Sequence, residues 1–450
     1  MKKISSLLLA LSLCVGLLAG CGGNEEPAPA PAPDGGETAA PAPDGGETAA
    51  TGSVYYLNFK PEADAAWQDL AKQYTTETGV EVKVVTAASG EYSTTLTAEM
   101  AKSDAPTLFQ CGNAQGLIDW GDYCIDFTGT KVLDEMTTSD FNLTDENGAV
   151  KAIGYCYEAF GIIVNTALLE QAGYALADIK DFDSLKTIAE DIHARAGELG
   201  FDAFSSSGLD GSSSWRFSGH LANMPLYYEF AEDKITAQPA TIKGTYLNYY
   251  KNIWDLYINN STCTGAELPS KTGDNSKAEF TTGKAVFYQN GTWEYAGLVE
   301  AGMKAENLAM IPIYVGAKGE EKAALCSGTE NCWAVNAKAS KADQQATLDF
   351  MKWVVTSESG TKMMAEQFGP IPFRSAKAPE NVFFADANEL IANGNYTVTW
   401  AFNHTPNVDG WRAGVVDALA AYSAGTGDWA AVETAFGAGW ASNYKIQNGG

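Results

Sequence analysis

Histidine is nearly missing from this chain: His193, His220 and His404 are the only three in 450 residues. No two cysteines stand as Cys-x-x-Cys, so neither a zinc site nor a dithiol redox site has the spacing it needs. Cations are scarce as well, with 29 Lys and Arg against 56 Asp and Glu and a formal charge of −27. Nucleic acid and anionic lipid surfaces demand clustered Lys and Arg, so that balance argues against both as partners. The serine-rich stretch Ser205–Ser214 contains no Gly-x-Ser-x-Gly elbow, the strained turn that presents a serine nucleophile. Around Asp140–Thr144 the glycine and terminal glutamate of a calcium loop are lacking. No metal and no cofactor are expected. The apolar run at Leu7–Leu18 is too short for the roughly 20 residues that cross a bilayer about 30 Å thick.

That run is instead the middle of an export signal. Lys2 and Lys3 precede it, and Leu18-Ala19-Gly20-Cys21 closes it with small residues before a cysteine. The ending resembles the lipobox of bacterial lipoproteins. The resemblance implies a signal peptide at 1–20, cleavage before Cys21, diacylglycerol on its thiol and fatty acylation of the new N-terminus. More than one acyl chain is what stable anchoring takes, since each buried methylene contributes only about 0.8 kcal/mol. The expected location is the outer face of the cell membrane. Residues 21–53 are rich in Pro, Ala and Gly and repeat Pro-Ala-Pro-Asp-Gly-Gly-Glu-Thr-Ala-Ala, with almost no side chain able to enter a core. This composition predicts a semi-rigid tether.

From Val54 onward aromatic and apolar residues recur periodically, over a length that calls for two lobes. Val54–Phe59 reads as a strand, and Ala63–Thr78 as a helix with Trp67, Leu70, Ala71 and Tyr74 on one face and Gly79 placed to end it. Strands at Val80–Val85 and Thr107–Gln110 flank a helix at Tyr92–Met100. Alternating strands and helices predict parallel strands, with ligands at their carboxyl ends. Six cysteines follow Cys21 and permit fifteen pairings, among which sequence cannot choose. Cys326 and Cys332 bracket a glycine-containing loop and are the local candidate pair.

Ala278-Glu-Phe280-Thr-Thr-Gly283-Lys-Ala through Gln289-Asn290-Gly291-Thr-Trp293 resembles the signature of extracellular solute-binding proteins of sugar importers. Met310-Ile-Pro-Ile313, Cys332-Trp-Ala-Val-Asn336 and the helix ending near Ser359-Gly360 follow in the family's order. Upstream, Tyr155-Cys-Tyr-Glu158 through Asn165 resembles the first crossover of maltose-binding-like members. The resemblance implies an α/β, type II periplasmic-binding-protein fold, with two lobes joined by hinge strands and a ligand cleft between them. On it we expect 54–158 plus 290–328 in lobe 1, and 159–289 plus 329–450 in lobe 2. It further implies a monomeric, non-enzymatic binding subunit that carries a sugar to the permease subunits of an ABC importer. Carried over residue by residue, Asn113 stands at a strand end and Glu158 at the hinge. Trp215 and Arg216 fall in the second-lobe loop, Asn290 and Trp293 at the second crossover exit, and Trp411 and Arg412 on a helix overhanging the cleft. Lys60 and Gln110 are first-lobe contacts. Asn113-Ala114 replaces an Asp-Arg pair of the maltose-binding pattern, which leaves the sugar unassigned. Two other readings stay open: the same fold with a polyamine, suggested by net acidity, and a surface glycosidase with paired carboxylates.

Overall fold

The computed structural model describes residues 52–206 and 208–449. The signal peptide, Cys21 and all but the last two residues of the tether lie outside the described residues. The described strands are β1 (Val54–Asn58), β2 (Val82–Thr86), β3 (Leu108–Gln110), β4 (Leu143–Thr144), β5 (Val150–Gly154), β6 (Glu158–Asn165), β7 (Asp202–Phe204), β8 (Ala285–Gly291), β9 (Leu308–Ile311), β10 (Ala323–Gly328), β11 (Cys332–Val335) and β12 (Tyr396–Thr399). They form two sheets. The first has the order β2-β1-β3-β11-β5-β4; the second runs β12-β10-β6-β8-β7, with β9 also paired to β6.

The local rules account for the start of the first lobe. Every residue of β1 is buried between β2 and β3, both parallel to it, as a doubly covered strand requires. The helix Asp64–Thr78 buries Trp67, Leu70, Ala71 and Tyr74 and ends at Gly79, whose φ of 76° suits a residue without Cβ. Trp67 meets Tyr56 edge-on at 5.0 Å, and Trp333 stacks on Tyr155 at 4.2 Å. Such aromatic pairs contribute about 0.5–1.5 kcal/mol each beyond the area they bury. The second lobe has its own core on β6 and β8, with Ile188, Trp254, Trp411 and Trp440 from four helices.

The chain passes between the sheets three times: at 155–157, at 329–331 and through 368–381. This corrects the expected lobe boundaries. β9 and β10, within 290–328, pair with β6 in the second sheet, whereas β11, within 329–450, is inserted antiparallel between β3 and β5 of the first. The exit at Asn290–Trp293 is therefore no crossover, because β8 stays antiparallel to β6 along its length. The candidate disulfide is corrected by the same divergence. Cys326 points into the second-lobe core with its Sγ 3.6 Å from Met224 Sδ; Cys332 lies in the first lobe with its Sγ 3.4 Å from the Phe141 carbonyl. All six cysteines among the described residues are free.

Candidate functional site

The first-lobe wall of the cleft is set by the turn after β1. Asn58 accepts the Lys60 backbone N–H at 3.0 Å and donates to the Lys60 carbonyl at 2.8 Å, closing the chain on itself and fixing Lys60. Lys60 Nζ then lies 2.8 Å from Glu158 Oε1 at the first crossing and 3.7 Å from Glu62. Burial works against the ammonium charge, yet the Glu158 and Glu62 carboxylates outweigh it and hold Lys60 above its ordinary value. The second Glu158 oxygen accepts Asn331 Nδ2 at 2.7 Å, from the second crossing. Gln110 Nε2 donates to the Glu330 carbonyl at 2.6 Å, while its Oε1 accepts Tyr155 Oη at 3.2 Å. Asn113 caps the helix Ala114–Trp120 and donates to Glu330 Oε1 at 3.2 Å.

The second-lobe wall starts from a wide π-type turn at Arg216–Leu221 leading into the helix Ala222–Asp233. Pro225 in that helix has no N–H to offer the Leu221 carbonyl four residues back, and its ring crowds that carbonyl. The widened turn that ends at Leu221 relieves the conflict. It presents Trp215, Arg216 and His220 together. His220 stacks on Phe160 at 3.8 Å and meets Trp215 at 5.0 Å and Trp293 at 5.4 Å; the two tryptophans are 6.0 Å apart. Burial, reinforced by repulsion from Arg216, Arg412 and Lys60, keeps the His220 imidazole well below its ordinary pKa, hence neutral. The Gln289 side-chain amide lies 3.1 Å from its Nδ1. Arg412 reaches the same surface, since a Cβ built on Gly219 would sit 3.1 Å from its Nη2.

The lobes meet across the cleft. Ser89 Oγ, beyond β2, donates to the Ser212 carbonyl at 2.9 Å, and a Cβ built on the neighbouring Gly90 would come within 2.6 Å of the Gly211 carbonyl. Lys60 Nζ stands 5.0 Å from the centre of the Trp293 ring. Within this closed arrangement some buried polar atoms have no hydrogen-bond partner: Arg216 Nε and Nη2, Gln289 Oε1, Trp400 Nε1 and Asn403 Oδ1. Unsatisfied groups on this scale cost about 1–3 kcal/mol each, a cost that any group supplying partners here would offset; Trp67 Nε1 and Trp429 Nε1 are likewise unpartnered elsewhere.

Of the residues expected from sequence, Lys60, Asn113, Glu158, Trp215, Arg216, Trp293 and Arg412 converge between the lobes. Gln110 and Asn290 are beside them, but their amides are spent on the frame: Asn290 donates to Tyr288 Oη and Glu294 and accepts the Gly291 N–H. Trp411 is a correction. It is 1% exposed, its indole N–H bonds to the Phe436 carbonyl at 2.9 Å, and it packs on Phe436 and Trp440 in the core. A tryptophan and an arginine adjacent on a helix point about 100° apart, so only one of the two can face the cleft. Sequence reading missed His220, Gln289, Glu330 and Asn331. Gln289 stood beside Asn290 in the quoted motif, and its strand alternation was the available signal. Among the described residues no group of three or more His, Cys, Asp and Glu could hold a metal ion, and no helix is long and apolar enough to cross a membrane.

The architecture is shared with solved binding proteins. RafE from Streptococcus pneumoniae in its apo form is 17% identical, covering 88% of this chain and 98% of that one at a TM-score of 0.62. The GacH receptor of Streptomyces glaucescens, solved unliganded and with acarbose, is 18% identical over 88% of this chain and 99% of its own, with a TM-score of 0.65. A sugar transporter protein from Bacillus licheniformis in complex with stachyose is 16% identical over 86% and 100%, also at 0.65. No curated protein sequence matches the chain. The family model described as bacterial extracellular solute-binding protein matches residues 69–392. With that match covering well over half its length, the chain belongs to the bacterial extracellular solute-binding proteins.

Proposed function

We propose that this protein captures a carbohydrate, an oligosaccharide as in the solved relatives with raffinose, acarbose and stachyose, and hands it to the permease subunits of an ABC importer. The observation that carries the reading is the pairing of two tryptophan faces, Trp215 and Trp293, with buried polar atoms that have no partner, inside a cleft whose lips touch. Sugars offer flat C–H faces and a rim of hydroxyls; aromatic rings cover the former, and forked or planar polar groups satisfy the latter. The raffinose-bound relative RafE, the acarbose-bound GacH and the stachyose-bound Bacillus protein support the same ligand class. Ligand bridging both walls favours the closed form through contacts made only there. Arg216 and Arg412, neither of them in an ion pair among the described residues, disfavour the polyamine reading. Glu158 is engaged by Lys60 and Asn331, so it does not stand as a free carboxylate for a glycosidase.

In the same proposal Cys21 is lipidated and the Pro-Ala tether keeps the lobes within reach of the importer. Isothermal titration against an oligosaccharide panel tests the ligand class: micromolar or tighter binding of at least one sugar is expected, and binding of none overturns it. Cell fractionation of Cys21→Ala tests the anchor, with release to the medium as the expected result.

A further inference from the structure

A buried guanidinium is normally matched by a carboxylate, because an unpaired charge inside a protein is costly. Arg216 is the exception here. It is 2% exposed, and its Nε and Nη2 have no hydrogen-bond partner. No acid among the described residues forms an ion pair with it, and the acids of the flanking segments bond elsewhere, apart from Glu294 Oε2, which lacks a hydrogen-bond partner. Glu294 is 3.1 Å from Lys277 Nζ, Glu279 accepts Thr262 Oγ1 and the Ser206 N–H at 2.7 Å each, and Asp210 takes the Ser212 and Ser213 hydroxyls.

The geometry of the two open donors is specific. Nε–H and the adjacent Nη2–H form one edge of the guanidinium and point the same way, the fork that receives both oxygens of a carboxylate. A lone hydroxyl fills half of it and brings no charge. The neighbouring carboxylates lend negative potential, but none forms an ion pair with the guanidinium. The helix Gly273–Thr281 begins at the guanidinium, where a Cβ built on Gly273 would lie 3.3 Å from Nη1, so its positive end faces the same spot. The indole of Trp215, 5.6 Å from the guanidinium carbon, supplies a stacking face beside the fork.

We infer that the cleft takes an acidic oligosaccharide, one residue of which is a uronate whose carboxylate sits on the Nε–H and Nη2–H fork of Arg216 while its ring lies against Trp215. The inference rests on the carbohydrate reading and names its charge. Neutral sugars leave the fork half filled.

The test uses the intact protein and a titration panel of uronate-bearing oligosaccharides on several backbones, each paired with its carboxyl-reduced alcohol. The best-bound acid is expected to lose about 100-fold or more in affinity on reduction, as when a site's buried donors lose the group they were built for. Arg216→Lys keeps the charge but not the fork and is expected to shrink that ratio to about threefold or less. If reduced and acidic members bind equally, or neutral sugars bind best, the uronate inference fails while the carbohydrate reading stands. If no member of either series binds, both fail. The wild-type comparison decides the question even if the variant does not fold.

Discussion

Lys60 and Arg216 are both buried cations facing one cleft, and they are treated in opposite ways. Lys60 belongs to a closed circuit: Glu158 balances it, Asn331 completes Glu158, and Gln110 and Tyr155 tie the same crossing strands together. Arg216 has an aromatic face and open donors but no anion. The first wall thus holds a charge to stabilise the hinge, and the second holds one at a cost to stability. What separates a structural charge from a binding charge in this molecule is whether its counter-ion is encoded in the chain.

Removing each cation should break that symmetry most visibly. Lys60→Met strands the buried Glu158 carboxylate and is expected to cost about 3–5 kcal/mol in urea denaturation. Arg216→Met, which deletes a charge that nothing offsets, should leave stability within about 1 kcal/mol of wild type, or raise it, while ligand binding falls sharply. Equal losses in the two variants would erase the distinction. A pH series sharpens it. Below about pH 6.5 the unfolded chain protonates His220 while the folded chain resists, so the unfolded state binds more protons and stability declines as pH falls, by at most about 1.4 kcal/mol per unit. Carboxylates titrate in the same range, so the quantity to measure is wild type minus His220→Gln, in which that slope should vanish. The smallest effect concerns the lips. Gly90→Ala puts a Cβ against the Gly211 carbonyl at a φ of +78° and should cost about 1 kcal/mol of strain. Ligand-saturated protein should then remain more open in small-angle X-ray scattering and bind about fivefold more weakly.

The first lobe was readable because its rules are local. The Trp67 face, the stop at Gly79 and the helix Tyr92–Met100 each follow from neighbours within a few residues. Asn113, Glu158 and Arg216, carried over from the family resemblance, stand at the ends of elements that line the space between the lobes. The allocation of β9, β10 and β11 was not readable in that way. Their apolar strands satisfy either sheet equally well, and the choice rests on pairing with partners more than a hundred residues distant. Trp411 failed because a sequence marks a tryptophan without marking the side of the helix it occupies. His220 was passed over because isolation along the chain hid its neighbours, Phe160 on β6 and Gln289 and Trp293 at the end of β8, which are distant in sequence.

On the proposed function, the wide turn at Arg216–Leu221 would make ligand choice a matter of helical phase. One residue more than an α-turn is wound into it, and each residue of an α-helix turns the chain by about 100°. Deleting Ser218 would restore ordinary winding and swing Trp215 and Arg216 around the axis, while Met224, Leu226 and Phe230 downstream kept their places in the core. The loss of one codon would thus re-aim the cleft residues, at the cost of moving Phe217, which packs on Trp254 and Tyr257 in the core. Titration of the deletion variant against the same sugar panel would reveal the switch as a changed order of affinities, in a protein less stable for the loss of the Phe217 contacts.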